Sequence, residues 1–272
     1  MASFECDQAE GLRRMLAGPK PRIFTFLSAT SVADKSAMLV NLSASLALSG
    51  SDVVLLDACI SNDGISHRMG AELQATLLDV ARQERALNQV VHAMPQGFGL
   101  ASLTRGSLRA ANGSDQHQQR RLSNAFGVLA AQSDVLMVDA ELDMNDNFAI
   151  PAMGNGEIIV QVTPGAASIK KAYALIKRLN AQLGRRPFGI LVTGADAQEA
   201  AVVYQNMAQA ASRYLALQLH SVGFVPQDDH LTRAARLGRA VIDAFPLAGA
   251  SVAFRGLAER FTLPAHSAKF GA

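Results

Sequence analysis

Residues 22–57 read RIFTFLSATSVADKSAMLVNLSASLALSGSDVVLLD. Ile23 to Leu27 is an apolar run of strand length, and the polar turn from Ser28 to Asp34 closes it. A Lys-Ser pair, Lys35 and Ser36, then opens a stretch of helical period, and a second apolar run ends on Asp57. Continuous apolar runs, without strict alternation, are what strands covered on both faces require. This strand–turn–helix–strand unit predicts an α/β fold.

The rest of the chain repeats the unit. Strands are expected at Ile23–Leu27, Val53–Asp57, Leu100–Leu103, Val135–Asp139, Ile158–Val162, Gly189–Thr193 and His220–Val225. Helical spacing falls between them at 35–48, 75–82, 118–132, 167–183, 197–214, 231–238 and 250–261, and residues 109–121 read as a loop entering a helix. Strands alternating with helices predict a doubly wound, mostly parallel sheet. Ligands of such sheets sit at the carboxyl ends of the strands, so the loops after Leu27, Asp57, Asp139 and Val162 are where function is expected. Ahead of this domain, Ala9, Leu12, Met15 and Leu16 mark one face of a short helix with Asp7 as its cap and Gly18 and Pro19 at its end. The expected organisation is a helix within 1–20, a domain at 21–264 and a tail at 265–272.

Composition narrows the classes. The chain has 272 residues, a net charge of +2 and 49% hydrophobic residues. That charge is too small to argue for nucleic acid, and no direct nucleic-acid binding is expected. The two cysteines, Cys6 and Cys59, form no disulfide framework and suit a reducing cytoplasm. No basic start leads into an apolar signal segment, and the apolar runs are too short to span a bilayer.

The turn between the first strand and helix is the layout of a phosphate-binding P-loop, G-x-x-x-x-G-K-[ST], without its glycines. Ala29 and Asp34 stand where the two glycines belong. A P-loop wraps phosphate oxygens with backbone N–H groups and visits φ > 0 to do so. A non-glycine residue forced there costs about 1–3 kcal/mol. Asp34 sets a carboxylate where a triphosphate would lie, and Lys35 is free to pair with it. The expectation is a vestigial nucleotide and magnesium site at Lys35, Ser36, Asp57 and Asp139, with no catalytic residue, no dedicated metal site, and at most weak ATP–magnesium binding. Cys59 reads as a small buried hydrophobe rather than a nucleophile.

Over nearly its whole length the chain resembles the MinD/ParA group of deviant Walker-type ATPases. Three stretches carry the resemblance: SDVLMVDAELD (133–143), VTPGAASIKKAYALIK (162–177) and GFVPQDDHLTRAAR (223–236). The resemblance implies a P-loop NTPase fold, with Asp139 as the Walker B aspartate and Lys35 and Ser36 as the phosphate lysine and magnesium hydroxyl. It also exposes departures. Thr30 replaces the group's signature lysine, Cys59 replaces the aspartate that orients the attacking water, and Thr193 replaces an adenine-reading asparagine.

Within that group, Asp7-Gln8-Ala9 with Leu12 and Arg13 is similar to the DQAxxLR motif of the flagellar number regulators called FlhG or FleN. The resemblance implies that this segment, with Asp7, Gln8, Ala9, Leu12 and Arg13 as its partner-binding residues, binds the signal-recognition-like GTPase FlhF and stimulates it, Gln8 approaching the GTPase site while Asp7, Leu12 and Arg13 fix the helix. It implies further partners among flagellar C-ring proteins or a flagellar transcription activator. Pro264 stops the last helix and no basic amphipathic stretch follows, so membrane attachment of the group's kind is not expected. A cytoplasmic monomer or nucleotide-independent dimer, placed by its partners, fits these readings. Two rivals remain open: an active or weakly active MinD-like ATPase, and a degenerate scaffold for pilus or cellulose export.

Overall fold

The computed structural model describes residues 21–59, 64–105 and 116–262. The predicted N-terminal helix, with Asp7, Gln8, Ala9, Leu12 and Arg13 on it, and the tail 265–272 lie outside the described residues. The sheet has eight strands: β1 Arg22–Ser28, β2 Val53–Ala58, β3 His92–Ala93, β4 Gly99–Ser102, β5 Val135–Ala140, β6 Glu157–Val162, β7 Phe188–Thr193 and β8 Leu219–Val225. Their order is β3-β4-β2-β5-β1-β6-β7-β8. Every pairing is parallel except β3 with β4, so the doubly wound, mostly parallel α/β sheet is present.

All seven expected strands are found within a residue or so of their expected ends. The helices are α1 Val32–Leu48, α2 Ile65–Arg68, α3 Leu77–Ala81, α4 Gln116–Ala131, α5 Ala166–Leu183, α6 Ala197–Leu215, α7 Asp229–Arg236, α8 Val241–Ala244 and α9 Gly249–Thr262. Strand β3 and helices α2 and α8 were not expected, since two to four residues are too few to show a period. Strand residues alternate between two cores. Val54 and Leu56 of β2 face one cluster with Phe126 of α4 and Ile176 of α5. Val53 and Leu55 face the other, with Leu39 and Leu42 of α1 and Phe254 of α9. Burial on both faces is why these strands read as unbroken apolar runs.

At the amino end of the sheet, Arg22 opens β1 against the last turn of α9. Its Nη1 donates to the Phe261 carbonyl at 2.7 Å, its Nη2 meets Glu157 at 2.5 Å, and its guanidinium lies 4.7 Å from the Phe24 ring centre. Phe24 and Phe261 pack ring to ring at 4.4 Å. The first and last described residues therefore leave the domain from one corner.

Candidate functional site: the closed loop at the carboxyl ends of β1, β2 and β5

Helix α1 starts at Val32 rather than at Lys35. Ser31 is its N-cap: its hydroxyl oxygen accepts from Asp34 N at 3.1 Å and the hydroxyl donates to Asp34 Oδ2 at 2.6 Å. Ser-x-x-Asp is a recognisable capping sequence, so this was legible. The backbone N–H of Lys35, which a P-loop would turn toward phosphate, donates to Ser31 O at 3.0 Å inside the helix. The expected strain is not there: among the described residues, none from Ser28 to Ser36 has positive φ. Without glycine the chain cannot form the phosphate-wrapping turn, and winds Val32, Ala33 and Asp34 into one extra turn of helix instead. Thr30, at the signature-lysine position, turns back on Ser28, its Oγ1 lying 2.8 Å from Ser28 Oγ.

The side chains corrected a second expectation. Lys35 does not pair with Asp34. Its Nζ lies 2.5 Å from Asp139 Oδ1, both side chains being almost wholly buried. The ammonium also meets the Ala140 carbonyl at 3.4 Å and Cys59 Sγ at 3.6 Å. Burial alone would pull the Lys35 pKa down, but the Asp139 carboxylate beside it carries it above its ordinary value. Burial pushes Asp139 up, against the pull of Lys35. Burial and the neighbouring Asp139 push the Cys59 thiol up as well, so it stays protonated and unreactive.

Asp57 has a different role from either. Its Oδ1 accepts from Cys59 N at 3.3 Å and its Oδ2 from Ser66 N at 2.9 Å, which orders the turn into α2. Gly64 lies so close that a Cβ there would run into both carboxylate oxygens. The Ser36 hydroxyl donates to Val32 O at 2.9 Å, within its own helix. Thus the structure brings Lys35, Asp57 and Asp139 together, while Ser36 points its hydroxyl back into α1.

These residues do not fit a magnesium-bound triphosphate. Asp57, Cys59 and Asp139 place ligand atoms within 4.8 Å of one another. Yet the Lys35 ammonium sits against two of the three, and a sulfur is a poor ligand for an ion that demands oxygens. The pocket in front of the loop is about 210 Å³, under the roughly 300 Å³ at which ordinary ligand sites begin. Its polar lining includes Thr30, Ser31, Glu141, Lys171 and Arg178. Sequence reading missed Glu141, Lys171, Arg178 and Gln161. Gln161 carried a signal: it is a buried amide in the apolar run of β6, and its Nε2 donates to Thr193 Oγ1 at 3.1 Å.

A central β1 flanked by β5 and β6, with a lysine early in the following helix and an aspartate near the end of β5, is the architecture of the MinD/ParA class of P-loop proteins. Solved structures agree on the fold. MinD of Pyrococcus furiosus, a cell division ATPase, matches with a TM-score of 0.66 at 18% identity, covering 88% of this chain and 98% of that one. MinD of Pyrococcus horikoshii, solved with Mg-ADP, matches with a TM-score of 0.66 at 18% identity, covering 92% of this chain and 99% of that one. No family model matches the chain. Among curated proteins, the antiactivator FleN of Pseudomonas aeruginosa is 31% identical over 236 residues, 85% of this chain and 84% of that protein. The chain belongs to the FleN (FlhG) family within the MinD/ParA group.

Proposed function

We propose that this chain is a regulator of flagellar number and placement that acts by binding other proteins, without a nucleotide cycle of its own. The observation that carries the reading is its kinship with FleN along 85% of its length. The start of α1 at Val32 and the buried Lys35–Asp139 pair support the second half, because the groups that would hold phosphate and magnesium already have partners in the fold. Partner binding is assigned to Asp7, Gln8, Ala9, Leu12 and Arg13 of the segment 1–20, with an FlhF-type GTPase as the target. The relative's description as an antiactivator supports a transcription activator as another partner. The organisation into a partner-binding segment, a domain at 21–264 and a tail at 265–272 belongs to the same proposal, as does a cytoplasmic location. Among the described residues no helix is long and apolar enough to cross a membrane.

The test is GTP hydrolysis by a purified FlhF-type GTPase, with and without this chain and ATP. Stimulation without ATP, lost in Gln8→Ala, is the expected result. Stimulation that requires ATP, or calorimetric binding of ATP–magnesium at micromolar concentration, would overturn it. The second outcome would favour the rival reading of a working MinD-like ATPase, which Lys35 and Asp139 at the P-loop and strand-end positions keep in play. Turnover that Lys35→Ala abolishes is that rival's mark.

A further inference from the structure

Far from the closed loop, the 3-10 turn Pro151–Asn155 leads into β6 at the amino end of the sheet. The groups on either side of Asn155 are held. The Thr25 hydroxyl donates to the Met153 carbonyl at 2.7 Å. Arg186 straddles Asn155, its Nη1 donating to the Gly154 carbonyl and its Nη2 to the Gly156 carbonyl at 2.5 Å. Glu157 meets Arg22 at 2.5 Å. Asn155 itself is exposed, and its side chain makes no hydrogen bond among the described residues. The guanidinium beside it has no paired carboxylate among those residues, and its Nε is buried without a hydrogen-bond partner. Gly156 admits no other residue, because a Cβ there would stand 2.3 Å from the Ile23 carbonyl oxygen.

We propose that Asn155-Gly156 is a site of spontaneous covalent modification, deamidation through a succinimide. The Gly156 backbone nitrogen loses its proton to solvent and bonds to Asn155 Cγ. The side-chain nitrogen takes up a proton and leaves as ammonia, which closes the imide ring. Water then adds to either imide carbonyl and breaks its bond to nitrogen. One product is aspartate; the other carries the main chain through the side-chain carbonyl, an isoaspartate. Three features of this place favour the reaction. Glycine has no Cβ to shield the attacking nitrogen, and the close approach of β1 keeps glycine there. The free Asn155 amide has no bond to break before it turns toward that nitrogen. The Arg186 charge stabilises the nitrogen anion that attacks, and the carboxylate produced gives the guanidinium the counter-charge it lacks. Isoaspartate lengthens the main chain by one atom between the two carbonyls that Arg186 holds. Both arginine bonds and the pairing of Glu157 with Phe24 cannot then persist together, and the corner built on Arg22 loosens. Nothing in this inference depends on the nucleotide loop or on the segment 1–20.

The experiment is to age the folded full chain in mildly alkaline buffer and to follow residue 155 by peptide mass mapping and by labelling with an isoaspartyl methyltransferase. Conversion at 155 is expected, with a melt that falls as conversion proceeds. Asn155→Gln should keep both the mass of its peptide and its melt over the same period. Arg186→Gln should slow conversion about tenfold, the lower end of what a neighbouring opposite charge does to an acidity, and Arg186→Lys should restore most of the rate. Asn112-Gly113, the other such pair in the chain, lies outside the described residues and serves as the reference. The proposal is overturned if residue 155 stays asparagine in the folded chain while it converts in urea or while Asn112 converts. It is equally overturned if Arg186→Gln converts as fast as the parent with the parent's circular dichroism.

Discussion

Lys35 and Asp139 are each tolerable only because the other is there. Asp139→Asn would leave the ammonium buried without its counter-charge, and unfolding by denaturant should show a loss of about 3–5 kcal/mol. The double change Lys35→Met/Asp139→Leu removes both charges while keeping apolar volume, and should recover most of that loss. This pairing was not legible in the sequence. Lys35 has Asp34 as its chain neighbour, and only the parallel register of β5 beside β1 and β2 brings Asp139, 104 positions away, to the ammonium. Asp57 shows the same limit. Its place at a strand end could be read from the chain, but its bond to Ser66 N depends on how the chain turns back toward it.

Caps decide where helices begin, and two aspartates illustrate it. Asp34 follows Ser31 at capping distance, so the early start of α1 could have been read from the sequence. The expectation of a strained loop instead came from assuming that the glycine positions keep their backbone shape after the glycines are gone. Asp228 has a wider reach. It caps α7 through His230 N at 2.9 Å, meets the His230 ring at 2.7 Å, and accepts from Ala250 N at 2.9 Å in the first turn of α9. Burial works against its charge, but these bonds outweigh it and hold its pKa below the usual carboxylate value. A carboxylate depressed in this way stabilises the fold above its unfolded pKa, and the contribution fades as pH falls through the lower folded value. Asp228→Asn keeps one acceptor oxygen but loses the other together with the charge, so it should unfold more easily than the parent at neutral pH, by about 1 kcal/mol as for one lost hydrogen bond. The two should converge once pH falls through the lowered folded value of Asp228, where the parent's carboxyl has lost its charge. Thermal melts of both proteins across that range check it.

The architecture as a whole was readable because it rests on periodicity. Seven buried strands announce themselves as apolar runs, such as EIIVQV in β6 and FGILVT in β7, and long helices such as α5 and α6 by their spacing. What escaped were pieces decided by contacts from elsewhere: β3, two residues long beside β4, and α8, whose first amide donates to the side chain of Asn41 on α1 at 2.7 Å. Arg22 is another such contact. With Phe24 it binds the start of the first strand to Phe261 in the last helix, so both ends of the described fold issue from a single corner. A circular permutant joined across that corner by a short flexible linker, and reopened at the exposed turn after Gly184, should keep the parent's circular dichroism and a cooperative melt. Arg22→Ala in the permutant should lower that melt further, since the linker ties the ends together without replacing the guanidinium. For the native chain the same geometry makes a mechanical statement. A pull on the leading segment is borne first by Arg22 and passes directly to the final helix, so a load hung on one end is felt at the other before it reaches the middle of the sheet.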